Sequence, residues 1–537
     1  MLSKLKTFLI GTPLPTAELA EKRLNKIRAL AAFSPDALSS IAYANQEIYL
    51  GLMIAGSTGL SLAWPIGLAI TGLLVIVAIS YYQTIQGYPS GGGSYVVARE
   101  NLGTFPGLIT AAALLIDYLL TAAVSLTAGV EAIASAIPTL WPYRVEIALV
   151  LLFVIAIANL RGLRETGTLM AIPVYMFLFT YIPMLAYGLV RLLIDGPTPI
   201  ETVAPTPMVG VTVFLVLHTF STGCTALTGI EAISNGVPAF KSPESKNAGR
   251  TLIVMAILMG TLFVGSIGLT QYLGIIAGPQ ETILSALARN VLGDGPFYLL
   301  IQFATMLILA VAANTSFAGF PRLAAILARD GFLPRQLSSL GDRLVFANGI
   351  VVLAIATGVL IIIFGGDSHL LIPLFAVGVF LAFTFSQAGM VLHWLREHRP
   401  GWFIKAMFNG LGALATGITL LVVGVSKFME GAWITVVVIP ILVFSFLQVR
   451  KHYRSVGHQL SLRGLPPDIK PSPPLRVIIP ISGVHRGMIE AVNFARSISN
   501  DVTAVYIELE PGGADYVREQ WQRLWPDVNL AVLQSPY

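Results

Sequence analysis

The sequence predicts an all-α polytopic membrane protein built from two five-helix repeats of inverted orientation, two extra helices and a small C-terminal α/β domain. Three observations carry that prediction. The first is composition: 55% of the 537 residues are hydrophobic and only 11% charged, with a mean hydropathy of +0.77, unlike any soluble globular domain. The second is a series of about twelve apolar stretches, each long enough to cross about 30 Å of hydrocarbon as a helix. The third is a pair of polar-interrupted spans, Phe33–Asn45 and His218–Glu231, at corresponding positions in the two halves. Paired interruptions of this kind point to discontinuous helices around a midplane binding site.

The first block of spans reads Pro35–Gly56, Leu62–Thr84, Pro106–Ile137, Glu146–Leu160 and Leu169–Leu193. The second reads Val211–Val237, Leu252–Gly274, Phe297–Leu327, Ile350–Phe364 and Leu370–Leu392, followed by Phe408–Val425 and Trp433–Gln448. The chain therefore divides into an N-terminal segment (1–30), a twelve-helix transporter domain (31–449), a linker (450–474) and an α/β domain (475–537). Basic residues resist translocation. Lys22, Arg23, Lys26, Arg28, Arg99, Arg161, Lys241, Lys246, Arg250, Arg322, Arg329, Arg396, Lys405, Arg450 and Lys451 fall on one side, against Arg144, Arg289 and Lys427 on the other. That bias puts both termini in the cytoplasm and places Glu47 and Glu131 near the outer interface.

Ahead of the first span, Ala17–Leu30 spaces Leu19, Leu24, Ile27 and Leu30 among charged residues, as an amphipathic helix on the inner leaflet would. No short apolar core with a small-residue cleavage site precedes it, so no cleaved signal peptide is expected. The net charge of +5 comes largely from the cytoplasmic loops and forms no basic stripe with interleaved aromatics, so nucleic acid is not an expected partner. A single cysteine, Cys224, excludes an intramolecular disulfide and reads as a small packing residue.

Asp36, Asp117 and Glu231 lie within apolar runs, where an ionisable group costs at least about 2.5–3.5 kcal/mol and survives mainly by facing a cavity or binding something. The first interrupted span carries Ser39, Ser40 and Tyr43 after Asp36; the second carries Gly223, Thr228 and Gly229 before Glu231. An unwound stretch frees backbone carbonyls that can coordinate a cation inside a protein-lined cavity, and the two glycines make unwinding cheap. Such small-residue runs also serve close helix packing; it is their pairing that favours a site. Asp117, Thr121 and Ser125 are spaced four apart and form an oxygen ladder on one helix face, although a lone Ser or Thr commonly bonds back to its own helix. Asp36 after Ser34-Pro35 is equally good helix-capping chemistry, and the two roles can coexist. Tyr43, two turns further on, is placed to gate or ligate, or simply to pack. His218 reads as a satisfied core histidine. The glycine loop Tyr88–Tyr95 has no following Lys-Ser/Thr and no preceding strand, so it is an intracellular turn rather than a phosphate cradle.

In the tail, strands at Leu475–Ile481, Val502–Glu508 and Val528–Leu533 alternate with helices at Gly487–Ser499 and Ala514–Leu524, predicting parallel βαβ units. Three strands make a thin domain, as in a shortened version of a larger module. Its candidate ligand loop is Ser482–Arg486, beyond the carboxyl end of the first strand.

Four stretches, Phe33–Tyr43, Tyr88–Tyr95, Asp117–Ser125 and Glu231–Lys241, resemble the amino acid–polyamine–organocation (APC) superfamily and, within it, the KUP family of potassium importers. The resemblance implies a LeuT-type core with broken first and sixth helices and proton-coupled potassium uptake. It also implies a cation path lined by Asp36, Tyr43, Asp117, Thr121, Ser125 and Glu231, homodimerisation through the cytoplasmic domains, and inhibition by cyclic di-AMP bound there. The superfamily alone suggests an amino acid permease instead. Amino acid sites usually offer a glycine-rich break in the first helix to hold the carboxylate, whereas Ser39–Tyr43 has no glycine and Asp36 is itself anionic.

Overall fold

The computed structural model describes residues 25–89, 91, 93–162, 167–198, 205–278, 280–398, 400–461, 475–509 and 512–534. The chain separates into two compact units, one ending at Val456 and the other beginning at Gly457.

The first unit is a helical bundle. Its chain order is α1 (Lys26–Phe33), α2 (Pro35–Met53), α3 (Gly56–Leu60), α4 (Ala63–Gly87), α5 (Ser94–Leu102), α6 (Thr104–Ala136), α7 (Arg144–Leu160) and α8 (Gly167–Asp195). It continues as α9 (Val213–Gly223), α10 (Ile230–Asn235), α11 (Glu244–Tyr272), α12 (Ile283–Leu292), α13 (Pro296–Arg329), α14 (Ala347–Ile363), α15 (Ser368–Glu397), α16 (Trp402–Ser426) and α17 (Ala432–Gln459). Among the described residues, ten helical stretches are long and apolar enough to cross a membrane. With the more polar α2 and the 17-residue α14, they account for every span read from the sequence. Exposed Phe179, Ile257, Ile355, Leu414 and Leu421 face outward from the bundle, as side chains bathed in lipid would. The α6, α13 and α15 helices pack against one another or against α2 and α16 to form the interior, with Phe317, Phe380 and Phe383 almost fully buried.

The two interrupted spans differ from one another. The first breaks only at Ser34: α1 is capped by Asn25, whose side chain accepts from Arg28 N–H at 2.9 Å, and α2 starts at Pro35, which has no N–H to continue the ladder. From there α2 runs unbroken to Met53, so Ser39 and Ser40 are helical rather than unwound. Nothing in that stretch lacks an N–H or requires a positive φ, and both hydroxyls bond back to carbonyls three residues earlier. Lys26–Phe33, expected on the membrane surface, packs into the bundle against α8 and α11, with Ala29 and Ala31 fully buried; residues 17–24 of that expected helix lie outside the described residues.

The second break is a full one. After α9 comes a 3-10 turn, Cys224–Leu227, then extended Thr228, then Gly229 at φ +76°, from which α10 restarts. A Cβ on Gly229 would sit 2.5 Å from Ala37 N, so both its backbone conformation and its approach to α2 demand glycine. Gly223, by contrast, is helical. Its lack of a side chain admits Ile48 and Ile70, whose atoms lie within 2.7 Å of where a Cβ would be, so close packing rather than unwinding explains it. At the far end α17 extends to Gln459, carrying Arg450 and Lys451 on the helix; Arg450 stands over the Phe332 ring at 4.4 Å. Residues 462–474 of the expected linker lie outside the described residues.

The second unit is a three-stranded parallel sheet in the order β1 (Arg476–Ile481), β2 (Asp501–Glu508), β3 (Asn529–Gln534), with Val477 opposite Val502 and Ala504 opposite Leu530. Its crossover helices are α18 (Gly487–Ile498) and α19 (Gly513–Leu524). Right-handed crossovers in this strand order put both helices on one face, over Ile481, Val492, Val502, Ala504, Val517 and Trp521. Trp521 Nε1 donates to Val528 O at 2.9 Å, satisfying the one polar atom of the indole.

Candidate ion path

The break at Thr228–Gly229 presses against the first turn of α2 and brings Asp36 and Glu231 to the same cavity. That cavity, about 230 Å³, is also lined by Asp117, Tyr118, Asn235 and Arg322. Asp36 is buried at 9% exposure, with Thr228 as a hydrogen-bonding neighbour, yet its Oδ1 has no partner among the described residues. Asp117 projects from the middle of α6 and accepts from Thr121 at 3.4 Å. Ser125, a turn further on and 1% exposed, has a hydroxyl without a partner. Asp36, Asp117 and Glu231 interact electrostatically with one another. Three negative groups sharing one low-dielectric cavity repel, and an entering cation relieves that repulsion.

Tyr43 donates to or accepts from Thr228 Oγ1 at 3.3 Å, which ties α2 to the extended residue of the break. Ser40 does the same for the turn before it, donating to Ala226 O at 3.0 Å as well as to Ala37 O at 2.7 Å. Ser39 bonds Asp36 O at 3.2 Å and so steadies the first turn of its own helix. The oxygens of the break are thus partly spoken for, while those of Asp36 and Ser125 are free to meet an ion. Among the described residues no three His, Cys, Asp or Glu side chains are grouped closely enough to hold one metal ion. The three carboxylates therefore do not form a single coordination shell, and a dehydrated cation in this cavity would need hydroxyl and carbonyl oxygens to complete its shell.

Glu231 differs from the other two because three donors meet it and both of its oxygens have a partner. Ser94 donates to Oε2 at 2.7 Å, Tyr81 to the same oxygen at 3.2 Å, and Asn235 Nδ2 to Oε1 at 3.0 Å. Tyr81, Ser94 and Asn235 were not singled out in the sequence. The available signal was the loop before Ser94: a Cβ on Gly93 would fall 1.9 Å from Asn235 Oδ1, and Gly91 sits at φ +87° against Pro238. The glycines let the loop close on α10, in agreement with a structural turn. The next residue, Tyr95, lines the cavity and donates to Asp330 at 2.7 Å, and Arg99 ion-pairs with the same carboxylate. A helix at the cavity mouth therefore joins Glu231 to the end of α13.

Three other sequence readings change. Glu47 and Glu131 are not interfacial but buried, at 8% and 4% exposure. Glu47 bonds His369, and Glu131 accepts Ser368 N–H at 2.8 Å and its hydroxyl at 2.6 Å. His218 is not a core histidine; its Nε2 lies 2.6 Å from Glu430 Oε1 in the turn between α16 and α17. In each case the partner is more than two hundred residues away in the chain.

A bundle of membrane-spanning helices with a carboxylate-lined cavity at two interrupted helices defines a polytopic transporter. Residues 29–446 match the family model described as amino acid permease, and residues 474–537 match the KimA potassium transporter C-terminal domain. The chain is 43% identical over 541 residues to the potassium transporter KimA of Bacillus subtilis (strain 168), an alignment covering 100% of this chain and 88% of that protein. The chain belongs to the amino acid permease family, in the branch that carries the KimA C-terminal domain. Among solved structures it matches the manganese transporter of Eremococcus coleocola, crystallised with an aromatic bis-isothiourea substituted compound, at 14% identity and a TM-score of 0.38, over 81% of this chain and 96% of that one.

Proposed function

We propose that this protein is a secondary transporter that imports potassium across the cell membrane with protons, by alternating access about the Asp36–Asp117 cavity. The observation that carries the reading is a carboxylate and a hydroxyl, Asp36 and Ser125, each with an unpartnered buried oxygen inside a membrane bundle, with Asp117 lining the same cavity as Asp36. Full-length similarity to a potassium transporter supplies the ion. The Lys and Arg bias supports cytoplasmic termini, which turns the Tyr95 and Arg322 side of the cavity toward the cytoplasm and makes this conformation inward-facing. Asp36, Tyr43, Asp117, Thr121 and Ser125 are the potassium path in this reading, Glu231 is its fixed negative post, and a carboxylate of the path exchanges proton for ion. The tail, as the resemblance implies, pairs two copies and takes cyclic di-AMP as an inhibitor.

The amino acid permease reading is favoured by the family match over residues 29–446. Against it stands Asp36, whose free oxygen would repel a substrate carboxylate. Rubidium uptake into proteoliposomes separates the two readings: uptake that collapses with the proton gradient supports the symporter, and amino acid uptake without rubidium flux would sink it.

A further inference from the structure

Beyond Tyr43 the bundle holds a second cluster of ionisable groups that the cation path does not use. Glu47 on α2 and Glu131 on α6 each bond one of the two consecutive residues that open α15, Ser368 and His369. Gln46 joins them: its Nε2 is 3.0 Å from His369 Nε2, and its Oε1 accepts the Ile283 N–H at 3.4 Å, at the start of α12. A cavity of about 10 Å³, room for about one water, lies between this cluster and Tyr43, bordered by Gln46, Glu131, Thr282 and Ser368. The cluster borders that small space, away from the residues that line the large cavity.

Donor and acceptor counting selects one protonation state. Because Gln46 Oε1 takes the Ile283 N–H, the amide nitrogen is the donor to His369 Nε2. That nitrogen must then carry a lone pair, and the ring proton sits on Nδ1, donated to Glu47. The tether of α12 to α2 therefore requires a neutral imidazole. His369 is 32% exposed and reachable by water, whereas Glu47 is 9% exposed.

We propose that His369 is the proton-operated latch of the outer gate: a proton from outside, taken on Nε2, turns Gln46 over and releases the α12 lid. The imidazolium Nε2–H needs an acceptor. Gln46 supplies one only by exchanging its amide ends, which sets its NH₂ against the Ile283 N–H, donor facing donor. The Glu47 bond survives and becomes charge-assisted, so α12 loses its tie to Gln46 of α2 and is left held by the bonds of Thr282 N–H at 3.0 Å and Arg289 at 3.3 Å to Ser135 of α6, while α15 stays anchored. The charged groups around His369 are Glu47 on α2, Glu131 on α6 through Ser368, and Asp367, which accepts His369 N–H at 3.0 Å and lies 3.9 Å from Arg144 of α7. Against α15 also stand Lys427 and Glu430, paired at 2.8 Å, with His218 of α9 on Glu430. The inference rests on the orientation and transport proposed above.

The test uses the full chain in right-side-out membrane vesicles, with Cys224→Ala removing the single cysteine. Ala132→Cys, bordering the small cavity, reports opening through labelling by an impermeant thiol reagent applied outside. Met429→Cys, on a residue 90% exposed in the outer turn, corrects for the pH dependence of thiol reactivity itself. The ratio of the two labelling rates is expected to rise several-fold as external pH is lowered through the titration of His369, scanned from about pH 10 to 5.5 because Glu47, Glu131 and Asp367 around the ring favour its charged form. In His369→Gln the ratio becomes independent of pH. In Gln46→Glu it stays low in acid, because a carboxylate accepts from the lid and from the imidazolium together. A flat ratio in the parent, or an acid response retained in His369→Gln, overturns the latch; Ala128→Cys is the second reporter if Ala132→Cys fails to accumulate. Rubidium uptake in the same vesicles keeps the two ideas apart. Flux with a flat ratio removes the latch alone, and an acid-responsive ratio without flux removes potassium import alone.

Discussion

Two regions of the bundle, around the large cavity and around the start of α15, hold carboxylates of low exposure, and Asp36 and Asp117 in the first are treated differently from Glu47 and Glu131 in the second. Toward the large cavity, Asp36 keeps an oxygen unpartnered and Asp117 has only a long bond from Thr121. Toward the other face, Glu131 has an N–H and a hydroxyl on its two oxygens and Glu47 is tied to His369, around a space fit for one water. Burial alone therefore does not mark an ion station. What distinguishes the two is the partner: Glu131 and Glu47 tie α6 and α2 to the start of α15, whereas Asp36 keeps an oxygen with no partner among the described residues.

That contrast is broken or sharpened most by exchanging the carboxylates for amides. Asp36→Asn or Asp117→Asn is expected to lower rubidium affinity by about 100-fold, since a charged ligand bond is worth about 2–3 kcal/mol, with little change in thermal stability. Uptake kinetics and a melting curve on the same preparation check both halves. Gly229→Ala reverses the pattern: at φ +76° and 2.5 Å from Ala37 N it should cost more than about 2 kcal/mol and lose fold and flux together, whereas Gly210→Ala, with open space around it, should cost nothing measurable. Thermal denaturation in detergent distinguishes them.

Glu131→Gln tests the outer end. Its amide oxygen keeps the Ser368 N–H and its NH₂ donates to the Ser368 hydroxyl, so stability should fall by only about 1 kcal/mol, for the lost charge, while rubidium KM moves by less than about threefold. A KM effect as large as that of Asp36→Asn would erase the distinction between the two ends. Ser94→Ala, which leaves Glu231 with Tyr81 and Asn235, should cost about 1 kcal/mol and slow uptake by less than about tenfold. The smallest effect belongs to Glu430 in the outer turn. Burial opposes its ionisation, but the His218 and Lys427 contacts outweigh burial and hold its carboxyl down at about 2. Its contribution is present above the ordinary 4.5 and fades as pH falls from there toward 2; proteolysis at the 428–430 turn across that interval reads it.

Much of this was legible before any tertiary contact was known. Apolar run length marked the spans, and the βαβ alternation after Leu475 marked a parallel sheet. Asp36, Asp117 and Glu231 stood out because charge in a long apolar run is costly, and all three line one cavity. The misreadings have a common cause. Ser39 and Ser40 suggested an unwound helix because small hydroxyl residues serve loops, caps and helix backs alike, and only Pro35 decides where the ladder is cut. Glu47 and Glu131 were misjudged because each is satisfied by a partner that arrives from another helix, and His218, expected in the core, finds its partner at Glu430 in the turn between α16 and α17. Gly223 and Gly229 look equivalent in the chain, yet one is helical against Ile48 and the other left-handed against Ala37.

Sequence by itself determined that this chain spans a membrane, where its helices lie and which carboxylates cannot face lipid, because transfer into hydrocarbon depends on local composition and on helix length. Tertiary structure alone decided which of the buried carboxylates keep an unpartnered oxygen and which serve as ties. A hydrogen bond is a property of two groups, and here the second group stands far along the chain, as Ser368 does from Glu131 and Ser94 from Glu231.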